Sequence, residues 1–217
     1  MNGIELKGRI GHIKKKLKLL LYCTKSKSRL FFDKLKQIFT LGKIKSNNDL
    51  NGKIVAECDF EVEEIGLVEI PDYAGDECHT FVYDVSIYFE TKTLNQDKLF
   101  KKSCLNWEEM EKYLYSTNGN GYAIHIKNLH IFDKPKELSE YKRKDEFMGG
   151  KQVFWETIKK APQNMMYAYD EKDDYILISI RPEWLCKILN GDKTIEVRKK
   201  VLKGYDEMTL RTQNRHF

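Results

Sequence analysis

Hydrophobic and polar positions alternate in several short runs along the chain. Between them lie segments whose apolar residues recur at helical spacing. Residues 16 to 24, KLKLLLYCT, set Leu17, Leu19 and Leu21 against Lys16, Lys18 and Leu20, which predicts a strand. Its second half is apolar on both faces, so the strand is expected in the middle of a sheet. Residues 29 to 41, RLFFDKLKQIFTL, place Leu30, Phe31, Leu35, Ile38 and Phe39 at helical spacing ahead of Gly42, a stop signal. Lys53 to Ile65 and Thr80 to Phe89 read as strands separated by an acidic loop around Pro71, Asp72, Gly75 and Asp76. Asn106 is placed to cap a helix from Trp107 to about Tyr115, with Glu108 and Glu109 in the first turn, where carboxylates suit the helix dipole. A turn from Asn118 to Gly121 leads into a strand from Tyr122 to Phe132. Residues 141 to 160 read as a linker-like insertion.

The pattern sharpens towards the end of the chain. Met165 to Tyr169 and Tyr175 to Ile180 read as two strands joined by the charged turn Asp170 to Asp174. Pro182 suits the first position of a helix, and Trp184, Leu185, Ile188 and Leu189 form its buried stripe, so Trp184 is expected in the core. Gly191 suits the C-terminal cap. On the strand that follows, Ile195 and Val197 point one way while Thr194, Glu196 and Arg198 point the other. Glu196 and Arg198 are two positions apart, roughly 7 Å along a strand, close enough to share a site.

Composition changes this picture only in part. The 217 residues, 41% of them hydrophobic, allow one good core. No apolar run approaches the roughly 20 residues of a membrane-spanning helix. The five cysteines are scattered without a CxxC pair, so neither a disulfide framework nor a metal site is indicated, and reduced thiols in a cytoplasm are expected. No cofactor is indicated. Charge is more informative: residues 1 to 50 hold 13 Lys and Arg against 3 Asp and Glu, whereas the remainder hold 25 against 30. A basic segment of that density favours a polyanion, and attraction to phosphate is largely independent of sequence. A solvated, partly disordered arm would carry the same charges.

Gly191, Lys193, Glu196 and Arg198 spell GxKxxExR, and with the preceding strand and helix this resembles the signature of the ASCH domain, a PUA-like β-barrel. The blocks LLLYCTK (19 to 25), NGKIVAECDF (51 to 60), SCLNWEEMEKY (103 to 113), IHIKNLHIFDKPKELSEY (124 to 141) and APQN (161 to 164) are similar to blocks of phage-associated bacterial ASCH-like proteins. The resemblance spans about residues 16 to 200. It implies an α+β fold, a PUA-like mixed β-barrel with two or three flanking helices, preceded by a basic arm over residues 1 to 15 and followed by a polar tail over 201 to 217.

The order departs from the family, in which the strand, helix and GxKxxExR strand come first. A circular permutation would complete the same barrel, with the strand Lys193 to Lys200 beside the strand Lys16 to Cys23; a truncated tandem gene would not. Ala123 and Ile124 also stand where Gly-Trp is common before the histidine, and Met165 stands where Trp often follows APQ at one remove.

The resemblance implies recognition of RNA or a modified nucleoside in a cleft. Lys193 and Arg198 would hold phosphate or a base edge, and Glu196 would accept from an exocyclic amine. Arg181, Thr194, Tyr22, Thr24 and Lys25 are further candidates for contact, while His125 reads as a satisfied strand histidine. The alternative is a small hydrolase, an acylcytidine amidohydrolase or ribonuclease, in which Lys193 activates the nucleophile and Glu196 is the general acid or base. The amidohydrolase-like members have threonine where Glu196 stands. A degenerate phage gene product without activity is the third reading.

Overall fold

A computed structural model describes residues 17–25, 50–74, 82–146 and 153–202. The expected arm over 1 to 15, the expected helix over 29 to 41 and the tail beyond residue 202 lie outside them. The described residues form nine strands, namely β1 (Lys18–Cys23), β2 (Ile54–Ala74), β3 (Val82–Glu90), β4 (Gly121–Lys136), β5 (Lys142–Glu146), β6 (Val153–Thr157), β7 (Met165–Tyr169), β8 (Asp174–Ile180) and β9 (Ile195–Arg198). Three helices accompany them: α1 (Gln96–Ser103), α2 (Trp107–Leu114) and α3 (Pro182–Asn190). The fold is α+β.

The strands make one mixed sheet in the order β6-β5-β7-β8-β1-β2-β4-β9, with β3 paired to the far half of β2. β1 is central because both its faces are apolar: Leu19, Leu21 and Cys23 enter one core cluster, and Leu20 and Tyr22 enter another. It runs parallel to β8 and antiparallel to β2. The pairing of β2 with β4 shifts register twice, between Ile54 and Ala56 and between Glu57 and Asp59, and Asn128 in β4 has φ 50°. Bulges of this kind bend strands and strengthen twist. The sheet therefore curls around Leu19, Leu21, Phe60, Ile124, Ile176 and Ile178, and α3 closes one end with Leu185, Ile188 and Leu189.

The pairing expected for β9 is corrected. It does not lie beside β1, whose two edges are taken by β2 and β8; it pairs antiparallel with β4, from Tyr122 opposite Arg198 to His125 opposite Ile195. The described strands do not close into a barrel through backbone pairing. Side chains span the seam: Arg198 donates to the Ser179 carbonyl at 2.7 Å, and the Asn164 amide donates to the Lys200 carbonyl at 2.9 Å.

Other expectations change in detail. β2 runs on through Pro71 and Asp72 to Ala74, where a loop was expected. The stretch read as linker-like carries β5 and β6, paired antiparallel from Lys142 opposite Thr157 to Glu146 opposite Val153. The helix at Trp107 has the expected cap, reinforced by a reciprocal bond from the Asn106 backbone N–H to Glu109. The helix α1 was not foreseen; Asn95 caps it, and Leu99 is fully buried on its inner side.

The chain turns sharply out of α3. Gly191 has φ 87° and donates to the Ile188 carbonyl, while the Asp192 and Lys193 N–H groups both bond the Lys187 carbonyl. A Cβ at Gly191 would meet nothing within 4 Å, so a substitution there costs conformation rather than space. Gly191→Ala is expected to lower stability by about 1–2 kcal/mol, the cost of a left-handed L-residue, as measured by urea unfolding.

Candidate functional site

The turn after α3 delivers Lys193 to the C-terminal end of α1. There the last carbonyls of a helix lack internal partners, and cations suit them. The Lys193 ammonium donates to the Ser103 carbonyl at 2.6 Å, and the Thr194 N–H donates to the Lys102 carbonyl at 2.9 Å. Lys193 is only 3% exposed. Its ammonium also lies 3.4 Å from Glu196 Oε2 and 4.9 Å from the centre of the Trp184 ring.

Glu196 is buried and faces two cations. Its other oxygen, Oε1, lies 2.9 Å from Arg198. Arg198 in turn donates to the Ser179 carbonyl and, at 3.3 Å, to the Asn164 side-chain oxygen. Its buried Nε–H has no hydrogen-bond partner among the described residues. Two cations thus share one carboxylate away from bulk water, an arrangement that leaves positive charge and a donor unmet. Burial pushes the Lys193 ammonium below its usual range, and Glu196 opposes that shift.

The cluster forms the floor of a cleft of about 640 Å³. One wall is Trp184 of α3, half-buried rather than in the core as expected, with the Lys187 ammonium 4.6 Å from its ring centre. The other is Tyr113 of α2, with Lys199 at 5.2 Å from its ring centre. Burial raises the Tyr113 hydroxyl above its usual pKa. Lys112, Arg181, Lys193, Arg198 and Lys199 line this cleft against Glu109 and Glu196, so it is basic.

Of the residues singled out in the sequence, Lys193, Glu196, Arg198 and Arg181 come together here, and Thr24 stands at the rim. Tyr22 and Lys25 line a neighbouring cleft that shares Thr24. Thr194 lines neither; its backbone joins α1 and β4 through Lys102 and Ile126. His125 sits 3.5 Å from Glu63, whose carboxylate also accepts from Thr93 at 2.6 Å. Tyr113 was missed, although its place beside the buried Met110 and Leu114 on a capped helix was a usable signal.

A larger cleft, about 830 Å³, lies at the Asp170 turn; six carboxylates, Glu57, Glu140, Asp170, Glu171, Asp173 and Asp174, line it against Lys18, Lys136, Lys142 and Lys172, so its balance is acidic where that of the Lys193 cleft is basic. No group of His, Cys, Asp or Glu suited to a metal occurs among the described residues. Burial pushes the Cys58 thiol up to about 12, which fits a structural cysteine. No described helix is long and apolar enough to cross a membrane. Comparison with protein-family models, with curated proteins and with solved structures finds no match.

Two consequences are measurable. Glu196→Ala leaves Lys193 and Arg198 facing each other without an acid, and should cost about 3–5 kcal/mol in urea unfolding, the range for breaking a buried pair from one side. The lowered pKa of Lys193 means that the unfolded chain holds this proton more tightly between the folded value and 10.5. Stability contributed by this group therefore rises with pH through that window. The stability of wild type relative to Lys193→Met should increase as pH approaches 10.5, and unfolding curves at stepped pH read the difference.

Proposed function

We propose that this chain is a nucleic-acid-binding module that takes RNA or a modified nucleobase into the cleft above Lys193, Glu196 and Arg198. The observation that carries the reading is the joining of an excess of buried positive charge to two aromatic walls, Trp184 and Tyr113, in one basic cleft. A base stacks on such rings while its edge or phosphate meets the cations below, the combination that readers of unpaired bases use. Tyr113 and Trp184 supply the aromatic surface that Ile124 and Met165 do not. The Arg198 guanidinium, whose side chain is 12% exposed, suits an acceptor oxygen on the ligand, and the buried Lys193 adds its charge from below. Glu196, with one oxygen beside each cation, acts in this reading as the holder of both.

The ASCH resemblance supports the same proposal. So does the seating of α3 and β9 on the sheet that contains β1, which fits a permuted, PUA-like arrangement better than a second domain just begun. A cytoplasmic setting belongs to the proposal. The hydrolase reading has one observation in its favour, the burial of Lys193 beside Glu196, which pushes its ammonium below the usual range. Against it, Glu196 is held between two cations, where a general base would need a free oxygen facing substrate.

Fluorescence anisotropy with short labelled RNAs tests the reading. Tyr113→Ala should weaken binding by about 1–3 kcal/mol, the range for a lost base stack, and Arg198→Ala should weaken it as well. Removing residues 1 to 15 should lessen the salt dependence without abolishing binding. Mass spectrometry of acetylated and unmodified cytidine and of the RNAs should show no new product. Turnover that disappears in Glu196→Gln would replace the reader with the hydrolase.

A further inference from the structure

The cleft above Lys193 does not end at its rim. Thr24 and Ser179 line it on one side and line a second cleft, of about 600 Å³, on the other. Both residues are small. The Thr24 N–H is fixed to the Ile180 carbonyl at 2.9 Å, and the Ser179 hydroxyl is turned away onto the Pro162 carbonyl at 2.6 Å. The divider is therefore a low, rigid saddle. Consecutive residues carry the lining across it, with Pro162 in the second cleft and Gln163 in the first.

The second cleft differs from the first in chemistry. Lys25, Lys159 and Lys160 line it, all exposed, and Glu137 is its one acid. Glu137 is paired with Lys53, which leaves the three lysines without a carboxylate partner among the described residues. Its other lining residues are small, aliphatic or backbone, apart from the largely buried Tyr22. It offers point charges on flexible stems and little exposed aromatic surface, which suits phosphate and not a base. Each cleft lies within the range of about 300–1,000 Å³ that holds one small ligand, so the two together hold consecutive units of a longer one.

We propose that the ligand is a single-stranded oligonucleotide rather than a free nucleoside: one base enters between Trp184 and Tyr113, and the sugar-phosphate chain crosses the Thr24–Ser179 saddle to Lys25, Lys159 and Lys160. This rests on the nucleic-acid reading given above and adds to it a direction and a minimum length. Lys25 belongs here as a phosphate contact, which separates its role from that of Arg198. Strands of ribose and deoxyribose share this phosphate chemistry, and the two are separated by testing both.

The test compares hexanucleotides of each base, as RNA and as DNA, with the matching nucleoside monophosphates, using the full chain and a Lys159→Ala/Lys160→Ala variant. Both lysines are exposed, so the variant is expected to fold. Hexanucleotides should bind at least tenfold more tightly than monophosphates. The variant should lose about tenfold in hexanucleotide affinity, and its salt slope should fall by about 1.4, at roughly 0.7 per neutralised phosphate on a single strand. Monophosphate binding should stay unchanged and remain sensitive to Arg198→Ala. Equal affinity for hexanucleotide and monophosphate, or a variant with unchanged affinity and slope, would overturn the groove while leaving the nucleobase cleft standing. Binding of neither probe at low salt would remove the nucleic-acid reading and the groove together.

Discussion

Glu196 sits buried between two cations, and the placement of the surrounding elements follows from meeting that charge. Lys193 reaches it from the turn after α3 and, with the same ammonium, closes the end of α1 through the Ser103 carbonyl. Arg198 reaches it from β9 and ties that strand to the end of β8 through Ser179 and to the APQN loop through Asn164. A buried ion pair is expensive unless its remaining donors and acceptors are met. Here most are met by carbonyls that would otherwise be unpaired, so the cluster organises the seam where backbone pairing stops.

The part left unmet is what gives the site chemistry. One carboxylate against two cations favours an incoming anion over an incoming cation. In the proposed reading the aromatic walls take a planar group and the lysines beyond the saddle take a chain of phosphates. The acidic cleft at the Asp170 turn, though larger, has the opposite electrostatic sense.

Legibility in the sequence follows the range of the interactions. The segment from Met165 to Arg198 was readable because it is punctuated locally: a charged turn between two strands, Pro182 at the start of α3, Gly191 at its end, and strict alternation through Ile195 to Arg198. The central place of β1 was readable from its two apolar faces. Pairings between distant segments left no such mark. Nothing near β9 specifies that its partner is β4, and β1 parallel to β8 joins residues more than a hundred positions apart. Helix α1 was hidden by a composition, QDKLFKKS, with few apolar positions, and β5 by its charged sequence KRKDE. The cleft position of Lys193 is legible from the capped turn, but its partner is not, because the carbonyl it meets is ninety residues away. The stripe that Trp184 shares with Leu185 and Ile188 predicts the core; the ring packs partly on that core and also forms a wall of the cleft.

The three tryptophans report directly on where a ligand meets the molecule. Trp184 walls the basic cleft, Trp155 is 55% exposed beside the acidic one, and Trp107 packs on Phe89 with ring centres 4.9 Å apart. Nitrogen-15 NMR of the three indole N–H signals during titration with a short single-stranded RNA should shift the Trp184 signal and leave those of Trp155 and Trp107 in place, with the shift lost in Arg198→Ala. Movement of the Trp155 signal with Trp184 unchanged would contradict the account.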